Sequence, residues 1–518
     1  MDYTIDDTPS VNTSDKANAI LEKYKEAVAV KDHWRDKFEE AYEYCLPNRE
    51  SFYDESPGQK RTDKIFDETA VVGVQEFASR LQSGIVPTFA RWADFQAGVE
   101  IPEEQKSQVN LQLDKITEYV FEILQNSNFN QEVHEAFMDL AVGTGCMLVE
   151  EGDAVNPVKF TAVPLPKVCL LNGPDGKIDT VYRTRKVKPE HIKVLYPKAV
   201  MPENFDLLQQ KKELTVIEAV YKIYQDNEEK YKYCVVLENP KAVIFEEEYS
   251  GEGSNPYLVF RWNKASGEVY GRGPVFNAMS AIKTCNLTIE LILQNAQMSV
   301  SGVYTYEDDG VINPDNISLV PGSLIPVAPG SRGLVPIQSA SNFDVAQLVL
   351  NDMRQNIKKA LYMEALGRPE GTPMTATEVS ERMADLSRQI GSSFGRLQSE
   401  LITPLLKRII RILSKQGRID IPKVNGREVK IAPRSPLAQA QHLQDVADVT
   451  RFNEIIGATF GPQMVNLIVD QNTTAKYLAE KMNLPEKLIR NEEEQQELVN
   501  RLQQMQSTPE GGEAPPGA

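Results

Sequence analysis

Few residues in this chain of 518 have the types and spacing that catalysis requires. Residues 391–395 (GSSFG) match the Gly-x-Ser-x-Gly pattern of a serine nucleophile. That nucleophile needs a strained turn between a strand and a helix, whereas the residues on both sides of this segment follow a helical pattern. Small residues at a helix crossing explain the match better, and hydrolysis by Ser393 is the weakest of three functional hypotheses.

Metal and nucleotide sites have as little support. The four histidines lie singly on predicted helices, without the four-residue spacing of a metal-binding pair. They are His33, His134, His191 and His442. The acidic turn at 307–309 (EDD) lacks the further oxygen ligands of a calcium loop. Residues 143–145 (GTG) are explained by a turn from helix to strand, and no phosphate-binding loop is present. We expect no catalytic residues, no metal and no cofactor.

Charge and composition restrict the remaining functions. Asp and Glu number 74 against 56 Lys and Arg, and the net charge of -18 suits a conduit for nucleic acid better than a tight wrapping of it. The five cysteines are widely spaced without a Cys-x-x-Cys pair, so we expect no disulfides, no zinc site and a reducing cytoplasm. Residues 1–10 do not resemble a signal peptide, and no apolar run approaches the roughly 18 residues of a membrane span.

The first half of the chain predicts a helical platform with an inserted β unit. A length of 518 residues predicts two to four packed units. From residue 145 to residue 262 the apolar period is two, with turns between strands and one short helix near 189–196. Because helices border this segment on both sides, we interpret it as an antiparallel insertion. The flanking platform is predicted from helical periodicity at 14–46, 67–85, 103–125 and 129–142.

Two long helices around a compact tip follow. The helix predicted at 274–300 has only Lys283 and Glu290 as charged residues, so it suits packing against neighbours better than open solvent. Residues 303–340 are rich in proline, glycine and β-branched residues, which predicts strands and turns. The helix predicted at 342–366 spans about 35 to 40 Å, close to the first, as an antiparallel pair requires. Such a helix pair is typical of one subunit of a ring-shaped assembly.

The remaining third is again mostly helical. A loop at 367–375 leads through a Thr-x-x-Glu capping box into a helix predicted at 376–414. We expect this helix to kink near Gly391, Gly395 and Pro404. A strand-like piece, renewed helix and a disordered tail then follow at 420–431, 436–504 and 508–518.

Basic residues near the helix pair are the remaining polar candidates. Arg332 lies in the tip, Lys358 and Lys359 lie on the second helix, and Arg368 lies in the loop that follows. For each of them, an ordinary surface position or a salt bridge between subunits is an open alternative to DNA contact. Two further runs are interpreted as partners for acids of a neighbouring subunit: Arg382, Arg388 and Arg396, and Lys407, Arg408 and Arg411.

Four segments, taken in order, resemble the portal, or head-to-tail connector, proteins of short-tailed, podovirus-type bacteriophages. They are AYEYCLPN, GVQEFASRLQSGIVPTFARWADF, PYLVFRWNKASGEVYGRGPVFNAMSAIKTCNLTIELI and MTATEVSERMADLSRQIGSSFGRLQSELITPLLKRII. The third joins an aromatic strand, a Gly-Glu-x-Tyr-Gly-Arg turn and a long helix. The resemblance covers nearly the whole chain. It implies an α+β, mainly helical fold of wing, stem, clip and crown with an inserted antiparallel β unit, assembled as a cyclic, dodecameric ring.

The resemblance also implies a division of the chain and a set of DNA-facing residues. Arg368, Lys358, Lys359 and Lys283 would be candidates in the tunnel and stem, and Arg332 would be a candidate in the clip. The implied regions are a wing at 1–273 with its β insertion at about 145–262, stem helices at 274–302 and 341–366, a clip at 303–340, a tunnel loop at 367–375, a long kinked helix and wing return at 376–435, a helical crown at 436–507 and a disordered tail at 508–518.

Function and partners follow from the same resemblance. It implies a conduit at one capsid vertex, through which a terminase motor packages double-stranded DNA and from which the DNA is later ejected through a short tail. Implied partners are further copies of the chain, the terminase large subunit, capsid and scaffold proteins, and tail adaptor and internal core proteins. The implied location is the virion, after synthesis in the host bacterial cytoplasm. The second hypothesis is another multimeric virion component, such as a tail adaptor or an internal core protein.

Overall fold

Helices and antiparallel sheets together build the described part of the chain, which is an α+β fold. The predicted loop at 367–375 and the predicted tail at 508–518 lie outside the described residues, as does most of 303–340. The computed structural model describes residues 13–53, 64–98, 102–202, 205, 212–224, 229–301, 304–305, 329–330, 335–336, 343–363, 391–420, 429–434, 436–461 and 468–481.

Four helices form the predicted platform. On the second of them, Val74, Phe77, Ala78, Leu81 and Ile85 recur at helical intervals and are buried, so its apolar stripe faces the core. This helix packs against the first and the fourth. The predicted helices are confirmed, and their predicted ends differ by no more than two residues from the observed bounds. These are α1 (Thr13–Cys45), α2 (Thr69–Ile85), α3 (Glu103–Asn126) and α4 (Phe129–Val142).

The β insertion folds into two antiparallel sheets. Strand β1 (Ala93–Ala97) lies before the insertion, between α2 and α3. The strands of the insertion are β2 (Thr144–Glu151), β3 (Val158–Ala162), β4 (Val168–Asn172), β5 (Ile178–Val187), β6 (Leu214–Ile223), β7 (Lys230–Leu237), β8 (Ala242–Ser250) and β9 (Tyr257–Arg261). One sheet has the order β3-β2-β9 and the other the order β4-β5-β6-β7-β8. The short helix predicted near 189–196 is confirmed as α5 (Pro189–Leu195).

The first half of α1 covers one face of the five-stranded sheet. Ala17, Ile20 and Leu21 are buried there against strand residues such as Tyr182 and Ile217. The hydroxyl groups of Tyr24 and Thr184 also form a hydrogen bond across this contact, at 2.9 Å. The rest of α1 contributes to the main core, so one helix joins the insertion to the platform.

The second half of the chain begins with two helices, α6 (Pro274–Ser301) and α7 (Phe343–Ala360). The second ends earlier than the sequence predicts, at Ala360 instead of residue 366. The helix predicted at 376–414 is described from Gly391, and a π turn at Gln398–Ile402 interrupts it just before Pro404. The elements are β10 (Tyr304–Thr305), β11 (Val335–Pro336), α8 (Gly391–Leu397), α9 (Thr403–Lys415), β12 (Val429–Pro433), α10 (Pro436–Phe460) and α11 (Gln471–Lys481).

Strand β1 pairs with β12, and the sequence does not predict this pair. Ala93 lies opposite Pro433 and Ala97 opposite Val429, across more than 300 residues of chain. A buried carboxylate stabilises this pair of strands, because Asp94 of β1 forms ion pairs with both Arg91 and Arg434. This pairing returns the chain from α9 to the platform.

Two of the three bases in the run on α9, Lys407 and Arg408, have partners within the chain, which corrects for these two the prediction that the run pairs with a neighbouring subunit. The Nζ atom of Lys407 lies 3.1 Å from a carboxylate oxygen of Glu252. Arg408 donates to the backbone carbonyl oxygen of Val149 at 3.1 Å. The insertion supplies these partners from more than 100 residues away, so spacing along the sequence does not reveal them.

The two ends of the β insertion cross in direct backbone contact. The amide of Trp262 donates to the carbonyl oxygen of Gly143 at 3.0 Å, and the amide of Gly273 donates to the carbonyl oxygen of Val142 at 2.9 Å. A Cβ atom added to Gly271 would lie 2.2 Å from the Gly143 oxygen. Glycine is therefore required at this crossing, since any side chain would separate the two backbones.

Helix side chains close both edges of the three-stranded sheet. At the β3 edge, the side-chain amide of Asn128 donates to the Phe160 carbonyl oxygen at 2.7 Å and accepts the Phe160 amide at 3.1 Å. At the β9 edge, Glu400 of the π turn accepts the backbone amide of Arg261 at 2.9 Å and two bonds from its guanidinium. Neither edge therefore offers a full set of unpaired backbone groups to another strand.

We expect Gly271→Ala to lower the free energy of unfolding by about 3 kcal/mol or more, because the new methyl group would overlap a backbone oxygen. Gly395→Ala is the matched control. A Cβ atom there meets nothing within 4 Å, so a helical alanine should stabilise the protein by about 0.5 to 1 kcal/mol. Urea unfolding followed by circular dichroism measures the free energy of unfolding of both variants. Equal changes in the two variants would contradict the close backbone contact at Gly271.

We expect Asn128→Leu to lower the free energy of unfolding by about 2 kcal/mol, because both backbone groups of Phe160 lose their partner. Asn128→Asp keeps the acceptor and loses only the donor, so its effect should be intermediate. The same unfolding experiment ranks the three proteins. A leucine variant as stable as the original chain would show that this edge needs no cover.

Candidate functional site

The helix pair α6 and α7 is anchored at one end and exposed along the rest. Near the platform, Ile282 and Cys285 of α6 and Leu350 and Ile357 of α7 are buried in the main core. Farther out, large apolar side chains are more than half exposed in the single chain. They are Leu287, Leu291, Leu293 and Leu348. The pair therefore leaves an apolar surface that a further chain can cover.

Asn286 connects α6 to the segment that precedes α2. Its side-chain oxygen accepts the backbone amides of Phe66 at 2.7 Å and Asp67 at 3.0 Å, and its side-chain nitrogen donates to the carbonyl oxygen of Lys64. The asparagine is buried, and its bond to the Asp67 amide is shielded from water. One side chain thus holds three backbone groups of residues 64–67 against α6.

Asp67 connects α7 to the same segment. Its carboxylate accepts the backbone amide of Thr69 at 2.9 Å and the Nε of Arg354 on α7 at 2.8 Å. Burial raises the pKa of Asp67, but the hydrogen bonds from Thr69 and Arg354 outweigh it, and the pKa lies below its ordinary value. Burial, with the nearby Asp67 charge, raises the pKa of the Cys285 thiol to about 11. The junction therefore contains a charged Asp67 and a neutral Cys285 at neutral pH.

A tyrosine ends α7 in place of the usual glycine. Tyr362 has φ of +58°, its amide donates to the Lys359 carbonyl oxygen at 3.1 Å, and the Met363 amide donates to the Lys358 carbonyl oxygen at 2.8 Å. This is the Schellman pattern of a helix end. Because glycine normally occupies the left-handed position, the sequence carries no recognisable stop signal at Ala360.

Contacts with α2 and β9 hold Tyr362 in this conformation. Its ring lies 5.7 Å from that of Trp262 and 6.4 Å from that of Phe77, measured between centroids. Arg80 of α2 donates to the carbonyl oxygens of both Tyr362 and Met363. The end of α7 is thus held both by the ring contacts of Tyr362 and by the hydrogen bonds from Arg80.

The predicted basic residues occupy different surroundings. Lys358 and Lys359 are exposed in the last turn of α7, where positive charge also stabilises the helix dipole. Lys283 forms an ion pair with Glu40 of α1. Arg332 and Arg368 lie outside the described residues. The assignment of all five to DNA contact stays a prediction.

The predicted kink residues lie on either side of the π turn. Gly391 starts α8 and Gly395 lies within it, and neither would meet an obstacle if it carried a Cβ atom. Pro404 lies in the first turn of α9, directly after the π turn. The kink stays a prediction, but a π turn is a common place for a helix to bend.

The surroundings of Ser393 do not fit a nucleophile. It lies inside helix α8 instead of at a turn from strand to helix, and its side chain is buried. Its hydroxyl donates to the side-chain oxygen of Asn263 at 3.0 Å, an acceptor that cannot act as a general base. The hydrolase hypothesis therefore loses the geometry on which it depended. Burial and the bond to Asn263 account for Ser393, whereas the open space beside Gly391 and Gly395 does not fit the predicted close crossing of helices.

Other reactive groups have similar limits in the part of the chain that the structure describes. No group of three or more histidine, cysteine, aspartate or glutamate side chains there is placed to hold a metal ion. Within the described ranges, no helix is long and apolar enough to cross a membrane. All five cysteines are buried and unpaired. What the described site can do is hold two helices at a fixed position.

Sequence reasoning missed the residues that hold the helix pair. They are Asp67, Arg80, Asn286, Arg354 and Tyr362. Asn286 belongs to the row of polar residues along the predicted helix, but its partners lie more than 200 residues earlier. The only indication in the sequence is a polar residue on a predicted helix that suits packing, which suggests a hydrogen bond but does not identify the partner.

Comparisons with known proteins agree with this arrangement. The family model described as "Bacteriophage head to tail connecting protein" matches residues 17–489. The "Probable portal protein" of Bordetella phage BPP-1 is 24% identical over 504 residues, 91% of this chain and 88% of that protein. The "Portal protein" of Salmonella phage epsilon15 is 23% identical over 473 residues, 86% of this chain and 83% of that protein.

A solved structure is also similar. A chain in the neck of an empty gene transfer agent particle aligns with 81% of this chain and 92% of its own length, at 13% identity and a TM-score of 0.34, which is too low to support an argument. The family match, in contrast, runs through the platform, the β insertion, the helix pair and the helices that follow. The resemblance found in the sequence is confirmed. The chain belongs to the bacteriophage head-to-tail connecting protein family.

Proposed function

We propose that this chain is a portal protein, a ring of copies at one capsid vertex through which double-stranded DNA is packaged and later released. The observation that carries the proposal is the family match over residues 17–489, together with relatives that are themselves called portal proteins. Partners in this proposal are the terminase large subunit, capsid and scaffold proteins, tail adaptor and internal core proteins. A dodecamer in the virion is the proposed assembly.

The anchored helix pair supports the proposal of a ring. Helix α6 has only Lys283 and Glu290 as charged residues, and Lys283 is paired with Glu40. The exposed leucines of α6 and α7 would lie against neighbouring copies, since a cyclic ring repeats one contact between two different surfaces. The polar junction at Asp67 and Asn286 would give every copy the same angle between stem and wing.

Charge supports the proposal of a conduit. A chain with a net charge of -18 repels phosphate over most of its surface, so DNA would slide without binding tightly. Sparse cations would then suffice to keep DNA centred. Lys358 and Lys359 are suited to this role because they are exposed at the end of α7, close in sequence to the proposed tunnel loop at 367–375. Arg368 is proposed to act from that loop, and Arg332 from the clip at 303–340.

Native mass spectrometry of the purified chain, with end-on electron micrographs, tests the ring. We expect a closed ring of about twelve copies with a central hole, because a rotational contact between two different surfaces closes on itself. A chain that stays monomeric or dimeric at micromolar concentration and low salt would contradict the proposal.

DNA packaging tests the proposed tunnel residues. We expect Arg368→Glu, and separately Lys358→Gln with Lys359→Gln, to lower the DNA protected from nuclease per head by about twofold, since each change removes positive charge from the path. Ring formation should be unaffected. Lys407→Gln is the matched control, because Lys407 is paired with Glu252 within the chain and is not among the proposed DNA-facing residues, so the amount of protected DNA should not change. Unchanged packaging would remove the altered residues from the DNA-facing set.

A further inference from the structure

Helix α5 and the residues that follow it expose apolar side chains. Ile192 and Tyr196 are buried and face the core. On the other side, the exposed fraction is 76% for Val194 and 75% for Val200. Leu195, which follows Val194, is 40% exposed. Scattered apolar residues on a surface are ordinary, but three so close together form a candidate binding surface, called the α5 patch below.

Lysines accompany the α5 patch. Lys188, Lys193 and Lys198 are exposed, and none of them forms an ion pair with any residue that the structure describes. Glu190 is the one acid between residues 188 and 200. Three positive charges against one negative charge leave an excess of two, in a chain whose net charge is -18. An acidic segment with apolar side chains would complement this surface.

The start of α1 and the α5 patch meet the same short stretch of β8, an edge strand of the five-stranded sheet. Lys16 of α1 lies 3.9 Å from the carboxylate of Glu246. The amide of Val200 donates to the carbonyl oxygen of Ile244 at 2.7 Å. Two residues of a strand cover about 7 Å. The chain that precedes α1 is therefore tethered close to the patch.

The composition of residues 1–12, which lie outside the described residues, complements the α5 patch. They include three aspartates and no lysine or arginine. Tyr3 and Ile5 are two residues apart, the spacing that places side chains on one side of an extended segment. This segment thus offers acids for the lysines and apolar side chains for the patch.

We propose that residues 1–12 bind across the α5 patch of the same chain, with Tyr3 and Ile5 on its apolar side chains and the aspartates beside its lysines. Twelve residues can span about 40 Å, so the segment reaches the patch from the start of α1. A short tether gives an effective concentration in the millimolar range, which favours this segment over an acidic segment of another protein. Nucleic acid would match the lysines but leave the apolar side chains uncovered. The inference does not depend on a ring.

Carbodiimide crosslinking of the full chain tests the inference, because this reagent joins a carboxylate to a lysine amine only where the two groups touch. Chains of natural and of heavy nitrogen content are mixed before assembly, and mass spectrometry identifies the linked peptides. We expect Asp6 or Asp7 to be linked to Lys193 or Lys198, with the same isotope content on both peptides.

A variant with both Val194→Ser and Val200→Ser weakens the proposed contact and leaves every reactive carboxylate and amine in place. We expect the yield of these links to fall about tenfold, since two exposed apolar side chains no longer contribute. Val155→Ser is the matched control. Val155 is 84% exposed in the turn between β2 and β3, so its replacement should leave the yield unchanged. Thermal unfolding confirms that both variants fold.

The other outcomes overturn the inference in distinguishable ways. Links between peptides of different isotope content would place the segment on a neighbouring copy instead of its own chain. An unchanged yield in the double valine variant would show that charge alone brings the groups together. If no link forms, residues 1–12 do not occupy the patch, and protection of Lys193 and Lys198 from acetylation by a DNA duplex would then identify nucleic acid as its ligand. Ring formation, which tests the proposed function, is measured separately.

Discussion

The close backbone crossing at Gly143 and Gly271 is the constraint on which the rest of the fold depends. The chain enters the β insertion at one side of this crossing and leaves it at the other, and hydrogen bonds from Trp262 and Gly273 close the loop. Helix α6 starts at Pro274, directly after the crossing. Because the two backbones touch, the crossing constrains the direction of α6 relative to α4 at the first residue of α6.

Polar side chains then hold the helix pair at two further places along its length. Asn286 and the Asp67–Arg354 pair hold its middle, and Arg80 holds the carbonyl oxygens at the end of α7. A buried polar group is costly when it lacks a partner, so each of these bonds favours one arrangement over all others. Apolar packing alone would allow the helices to slide, whereas these bonds allow one register. Such a junction would suit the proposed ring, in which this part must be identical in every copy.

The basic residues fall into two groups, those paired with acids within the chain and those exposed on the surface. Bases of the long helix are used internally, since Lys407 and Lys415 pair with acids of the insertion. Arg261 in turn binds Glu400 of the π turn. The chain as a whole keeps its net charge of -18, with exposed cations such as Lys358 and Lys359 at chosen positions. In the proposed conduit, this balance would give weak electrostatic contact with DNA, without the tight binding that a basic surface would cause.

The sequence alone determined the platform helices, the β insertion, the long helix pair and the family, because periodicity, turn residues and ordered motifs are local features. It also excluded most enzyme chemistry. Tertiary structure decided the division into two sheets, the pairing of β1 with β12, the end of α7 at Tyr362 and the partners of Asp67, Asn286 and Arg408. Each of these depends on contacts between residues far apart in the chain, which no local pattern records.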